Sequence, residues 1–403
     1  MNKQKINWII LVSKDRGMDY GVGTFIKQLS RELAKRKHIN VFIFGIGLTQ
    51  SQTFSIKHQD GITIIGIPIA ENNAEIDTIK NQEKRSRNIA RVVSQYIPPG
   101  NKNIIHMNYL FQYFVANALK EMVSGKILFT QHVFAPEQQL AGYYFDIDSH
   151  VYKMANKIIT VTRHGKSHLA GKRVDAGKIE VIYNGIDPVH FNNNSENRIK
   201  EKYGLGHTEK IILYSGRIDP IKGLDYLCRA MNGLVKKIPG CRLVIAGNGN
   251  YDQLIQSARN FSANISYLGF IPFEDVVALY HEADIGVIPS LEEHCSYVAL
   301  EMLHSGLPVV ASNLGGLKEI FVHNENALLA GTVKDISNKY GIAPGVEELE
   351  NHMYSLLTNK DLRKKFARKA NERAKGMFTS EIMVNNYLKL IENLNQNIYE
   401  QRR

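Results

Sequence analysis

Residues 284–313 read DIGVIPSLEEHCSYVALEMLHSGLPVVASN. Two short apolar runs, DIGVIPS and PVVASN, flank a stretch, YVALEMLHSG, with helical periodicity that ends on Gly306. This is strand, loop, helix, strand. Strands separated by helices form a parallel sheet covered on both faces.

The same grammar extends outward from this stretch. Upstream lie the strand EKIILYSGRI (209–218), the helix LDYLCRAMNGLVKKI (224–238), the strands CRLVIAGNG and ISYLGF, and the helix VVALYHEA. The N-terminal half repeats it with INWIILVS (6–13) and GVGTFIKQLSRELAKR (21–36), which carries Phe25, Leu29 and Leu33 on one stripe. Then come NVFIFGIG, GITIIGIPI, a helical stretch from about Ile76 to Ile97, and the strands NIIHMNY, KILFTQH and KIITVT. VIYNGIDPVHF (181–191) closes this half on turn signals, and the polar segment 192–209 reads as a linker with a short helix. Residues 346–370 and 380–398 are helical in pattern, with 399–403 a frayed tail. Two α/β domains are expected, over 1–195 and 196–375, followed by a C-terminal helix in 376–403.

Composition narrows the class. The chain has 403 residues, 44% hydrophobic and 22% charged, the balance of a globular protein rather than a disordered or fibrous one. The 3 cysteines, Cys228, Cys241 and Cys295, have no metal-ligand spacing, and their odd number argues against a disulfide framework. The opening MNKQKINWIILVS has a basic flank, but its apolar run is too short for a membrane span, which takes about 20 residues. It reads as a buried first strand, and the expected location is the cytoplasm. The net charge of +11 lies entirely in residues 1–200, with 27 Lys/Arg against 16 Asp/Glu, while residues 201–403 balance at 23 against 23.

Four segments carry polar chemistry. In GMDYGVGTF (17–25), Gly21 and Gly23 open a helix after the first strand, where a backbone can approach an anion. This is not the full dinucleotide fingerprint, and no acidic residue closes the second strand, so nicotinamide binding is disfavoured. In YSGRIDPIKGLDYL (214–227), Arg217 and Lys222 follow a strand beside Gly216 and Gly223, an arrangement suited to a diphosphate unless Asp219 and Asp225 neutralise them. In PSLEEHCSYVALEMLHSGLPVVASNLGGLKEI (289–320), Glu293 lies in a loop and Glu301 in the helix after it, each able to accept bonds from sugar or ribose hydroxyls. Gly315 and Gly316 supply another close-approach loop, as does Gly247 in AGNGN. His132 ends the strand LFTQH, where open α/β sheets bind ligands, and His106 is the less favoured alternative.

Together these segments resemble the retaining glycosyltransferases of family 4, from Ile9 to about Leu390. The resemblance rests on the Glu293…Glu301 spacing, GRIDPIKG, VIYNGID, VIAGNGN, YLGFIP and their order. It implies the GT-B fold, two Rossmann-like domains facing a cleft, and transfer of a sugar from a nucleoside-diphosphate sugar. It matches Arg217 and Lys222 to the donor-diphosphate pair, Glu301 to the ribose-binding carboxylate and Glu293 to the carboxylate near the donor sugar. Gly21 and Gly23 match the loop near the reacting centre, and His132 the histidine that faces the transferred sugar. The last helix is expected to cross back onto the N-terminal domain. One departure stands out: His294, Cys295 and Ser296 replace the family's usual Gly-Phe-Gly, which leaves the donor sugar open, while Ser296 keeps a cap for the helix.

The expected partners are a nucleotide-sugar donor, a UDP-sugar by family usage, and a saccharide or lipid-linked acceptor. No metal and no separate cofactor is expected, since the two cations do the charge stabilisation. A protein or small-metabolite acceptor, an epimerase and a non-catalytic nucleotide-sugar-binding protein stay as alternatives. Lys80, Lys84, Arg85, Arg87 and Arg91 on one helix, beside Ile76, Ile79, Ile89, Val92, Val93 and Ile97, suggest contact with an anionic membrane; the same apolar residues also read as a core stripe. Nucleic acid is disfavoured because no recognition motif accompanies the charge.

Overall fold

The computed structural model describes residues 5–13, 21–47, 54–68, 79–133, 147–172, 174–191 and 198–400. Residues 17–20 of the first glycine-rich segment, Ile76, linker positions 192–197 and the last three residues lie outside them. The chain divides into two compact units, Met1–Asn184 with Ser380–Arg403, and Gly185–Thr379.

The first unit holds a sheet of eight strands: β1 (Ile6–Ser13), β2 (Ile39–Ile46), β3 (Ser55–Gln59), β4 (Ile62–Ile67), β5 (Lys102–Met107), β6 (Gly125–Gln131), β7 (Lys157–Thr160) and β8 (Ile179–Val181). Its order is β3-β4-β2-β1-β5-β6-β7-β8, parallel except for β3. The apolar runs make these central strands, and Trp8 to Val12 of β1 are fully buried. The polar strand SIKHQ, which the periodicity did not announce, is exposed along its length and turns into β4 through Asp60 and Gly61, both at positive φ. The helix Ser380–Glu400 belongs to this unit and packs on the helix Gly21–Ala34, with Tyr387 fully buried and the Arg36 guanidinium 3.2 Å from Asn385 Oδ1.

The basic helix is Ile79–Gln95. Ile89, Ala90 and Val93, with Ile97 beyond, form a core stripe buried in the first unit, and the helix packs on the helix Tyr113–Met122. Lys80, Lys84, Arg85, Arg87 and Arg91 are exposed. The combination of cations with an apolar lipid-facing stripe is therefore corrected, because these apolar residues already face the interior.

The second unit holds β9 (Lys210–Ser215), β10 (Cys241–Ala246), β11 (Ile265–Gly269), β12 (Ile285–Ile288), β13 (Val309–Ser312) and β14 (Ala327–Ala330) in the order β11-β10-β9-β12-β13-β14, all parallel. Counted within the unit this is 3-2-1-4-5-6, the dinucleotide-fold order, and the first sheet follows it once β3 is set aside, with β8 added as a seventh strand at the far edge. A small antiparallel hairpin, β15 (Thr332–Lys334) with β16 (Ile342–Pro344), follows. The helical stretch from 346 is two helices, Val346–Thr358 and Lys360–Met377. Asn359 separates them in an extended conformation, and its side chain caps the second by accepting from Leu362 N at 2.9 Å.

Candidate active site

In a 3-2-1-4-5-6 sheet the connections leave in opposite directions on either side of the first strand, so a crevice opens where the first and fourth strands end. In the second unit these are β9 and β12. The loops after them are tied together. Leu291 N donates to Ile221 O at 2.8 Å, and Gly316 N, from the loop after β13, donates to Glu293 O at 2.9 Å. Two glycines permit this approach: Gly223 (φ 67) lies so close that a Cβ would meet Pro289 O, and Gly315 (φ 45) so close that it would meet Glu293 O. On the other side, Gly216 N donates to Ala246 O at 2.9 Å and Gly247 N to Gly269 O at 2.7 Å. Gly216, Gly247, Gly315 and Gly316 thus all lie on one stitched rim.

The charged groups sit on this rim. Lys222 Nζ is 2.5 Å from Glu293 Oε1, and the Ser290 hydroxyl donates to the same oxygen at 3.1 Å. Both partners are largely buried. Arg217 is more exposed and reaches Asp219 at 3.5 Å. Asp219 also caps the turn Pro220–Lys222 by accepting from Ile221 N at 3.1 Å. Asp225 is turned elsewhere, accepting from Gln253 and Ser257, so it does not neutralise the pair.

Glu301 belongs to a second group of contacts. It accepts from the Tyr280 hydroxyl at 2.8 Å, and Tyr280 lies 2.7 Å from the Ser215 hydroxyl at the end of β9. Burial pushes the Glu301 carboxyl up to about 7, opposed by the Tyr280 hydrogen bond. Burial, with the Glu301 carboxylate beside it, raises the Tyr280 phenol far above its usual range. Tyr280 carries no signal along the chain, where it reads as one more apolar position of a helix. Phe270, at the carboxyl end of β11, is 82% exposed, a position that only the structure singles out. Ser296 accepts from Ala299 N at 3.4 Å and so caps the helix Tyr297–His304 in place of the missing glycine.

In the first unit, Gly21 begins the helix after β1 and Gly23 is buried one half-turn in. His132 follows β6, only 8% exposed, with its Nε2 3.2 Å from Asn108 Oδ1 and its ring edge-on to Phe25 at 4.6 Å. Asn108 follows β5, and Gln112 ties this strand end to β1: its Oε1 accepts from Asn108 N at 2.8 Å while its Nε2 donates to Leu11 O at 2.8 Å. His106 is a core residue. Trp8 Nε1, which can only donate, lies 3.2 Å from His106 Nδ1, so the proton sits on Nε2, 2.7 Å from Thr130 Oγ1. Burial, then the nearby His132, lowers His106 to about 3, so it stays neutral. All three cysteines are buried free thiols.

Residues 195–373 match the family described as Glycosyl transferases group 1, and residues 20–190 match Glycosyltransferase Family 4. The chain belongs to glycosyltransferase family 4. This family-4 chain is 31% identical over 242 residues to an uncharacterized glycosyltransferase of Methanocaldococcus jannaschii, a match over 56% of this chain and 61% of that protein's length. Its fold is that of sucrose-phosphate synthase from Thermosynechococcus elongatus, with a TM-score of 0.76 at 20% identity over 98% of this chain and 100% of the other. HepE from Anabaena, crystallised with UDP-glucose, superposes with a TM-score of 0.71 at 16% identity over 96% of this chain and 99% of that one. These likenesses identify the GT-B fold, with its two Rossmann-like α/β units.

Proposed function

We propose that this family-4 chain is a retaining glycosyltransferase that moves a sugar from a UDP-sugar to a saccharide or lipid-linked acceptor. The observation that carries the reading is the Lys222–Glu293 contact on adjoining loops at the switch point of the second sheet. A cation for the diphosphate and a carboxylate for the sugar are held there side by side. Lys222 and Arg217 stabilise charge on the departing β-phosphate. Glu301, oriented by Tyr280, accepts from the ribose hydroxyls, and Phe270 offers an aromatic face to the base. By the family resemblance, His132 is assigned as a hydrogen-bond partner of a sugar hydroxyl, and the helix start at Gly21 and Gly23 as an anion-approach loop.

Glu293 is already engaged by Lys222 and Ser290, which disfavours it as a covalent nucleophile. We therefore assign a front-face transfer. The acceptor oxygen bonds to the anomeric carbon as the bond to the phosphate oxygen breaks, and the acceptor proton passes to the departing phosphate. Incubation of the purified chain with UDP-sugars and saccharide, lipid and peptide acceptors, read by mass spectrometry, tests this. Glycoside product with UDP released supports the reading; UDP binding without product from any acceptor class argues for a binding protein.

The lipid-linked acceptor rests on the exposed cations of the helix Ile79–Gln95. Among the described residues no helix is long and apolar enough to cross a membrane. Contact would be electrostatic, each cation near an anionic surface contributing roughly 1 kcal/mol. Co-sedimentation with phosphatidylglycerol vesicles should occur at low salt, fade with added salt, and weaken when Lys84, Arg87 and Arg91 become Glu. Equal sedimentation with neutral vesicles would exclude it.

A further inference from the structure

We infer that Glu292 and His294 select the transferred sugar, and that they select an uncharged, hydroxyl-bearing one. The inference rests on the reading that the second unit binds a nucleotide-sugar.

The loop that leaves β12 is fixed before any ligand arrives. Leu291, Cys295 and Tyr297 are buried, while Glu292, Glu293, His294 and Ser296 each keep part of their surface open. The backbone is pinned at Leu291 by Ile221 O and at Glu293 by Gly316 N. Three consecutive polar side chains are therefore held in set positions.

Within that set the two partners differ. The His294 side chain is 13% exposed and that of Glu292 39%, with Nε2 of the first 3.3 Å from Oε1 of the second. The imidazole thus backs the carboxylate, which keeps an open side. The His294 imidazole beside it holds the Glu292 carboxyl below the usual range, and Lys222 and Lys339 add to the effect. Lys222 is shared, since its field reaches Glu292 and its ammonium touches Glu293. The cation assigned to the diphosphate accordingly pairs with one carboxylate, Glu293, and the adjacent residue in the chain, Glu292, supplies a second, and what is attached to that diphosphate is the sugar. Carboxylates accept bonds from hydroxyls and repel a sugar that carries its own carboxylate. Glu292 contacts the sugar; His294 acts through Glu292 and is a positioning residue.

The test is calorimetric titration of the full chain with UDP, UDP-glucose, UDP-galactose, UDP-N-acetylglucosamine and UDP-glucuronate. The best neutral donor should bind at least ~10-fold more tightly than UDP-glucuronate, as expected for like charges brought together at a site. Glu292→Gln should narrow that ratio to within about 3-fold by removing the repelling charge. His294→Ala should weaken the best neutral donor relative to UDP, and His294→Gln, whose amide can still donate to Glu292, should restore it. UDP itself should bind all variants alike, which also reports that they fold. Equal affinity of the wild type for neutral and anionic donors overturns the assignment. So does an unchanged donor ranking in both Glu292→Gln and His294→Ala with normal UDP binding. Failure of the wild type to bind UDP at all is a different result, because it removes the nucleotide-sugar reading itself.

Discussion

Replacing Glu301 with Gln should stabilise the protein above neutral pH and leave it unchanged in mild acid. Glu301 accepts a hydrogen bond from the Tyr280 hydroxyl, which in turn lies against Ser215 at the end of β9. Burial raises its carboxyl from the usual 4.5 to about 7. The folded state therefore holds a proton that the unfolded chain gives up. The stability associated with that proton is fully present below pH 4.5 and is lost progressively as the pH rises through about 7. At about 1.4 kcal/mol per pH unit, the rise from 4.5 to about 7 sets an upper bound of about 3.5 kcal/mol. Gln keeps a hydrogen bond to Tyr280 but never ionises, so it escapes this loss. The hydrogen bond to Tyr280 is already counted in the shifted value, so the variant should gain about 2–3 kcal/mol at pH 8. Urea unfolding of both proteins at pH 5 and pH 8 measures it. The same variant should bind UDP more weakly, since an ionised acceptor makes the stronger bond to a ribose hydroxyl. A stability difference that is the same at both pH values would refute the buried-carboxylate argument. Unchanged UDP affinity would refute the ribose assignment.

Three further outcomes are expected. Lys222→Ala or Arg217→Ala should lower transfer by at least ~100-fold, as loss of a group that stabilises transition-state charge does elsewhere, and near-normal steady-state turnover in both would discard the clamp. Gly223→Ala adds a Cβ at positive φ against Pro289 O and should destabilise the fold by about 2–4 kcal/mol. Scanning calorimetry should then show a drop of about 5–15 °C in Tm, whereas a change within error would mean that the two loops are not held together. Transfer should persist in excess EDTA, because the cations of the rim take the charge; loss of activity restored by magnesium or manganese would contradict this.

Much of this was legible in the chain. Apolar runs such as INWIILVS and KIILYS can only be strands buried on both faces, and alternation with amphipathic helices dictates parallel sheets. The glycines of the rim were legible too, because a backbone that must pass within contact distance of another backbone excludes every side chain. Gly315 beside Glu293 O is such a case. The strand SIKHQ was not legible. It lies at a sheet edge with no buried face, so it carries no alternation, and only the Asp60-Gly61 turn marks it. The break at Asn359 was hidden because apolar periodicity runs through it on both sides.

Sequence by itself determined the layers, the strand–loop–helix units and the residue types at each strand end. Those follow from local propensity and from the demand that apolar faces leave water. Only the tertiary structure decided which of those residues meet. Lys222 and Glu293 are 71 positions apart and touch because β9 and β12 are neighbours across the switch point. Tyr280 becomes the partner of Glu301, and His106 becomes a silent core residue beside Trp8, for the same reason. Spacing along a chain fixes which face a side chain takes within its own element; the partner on that face is set by the order in which the strands are laid side by side.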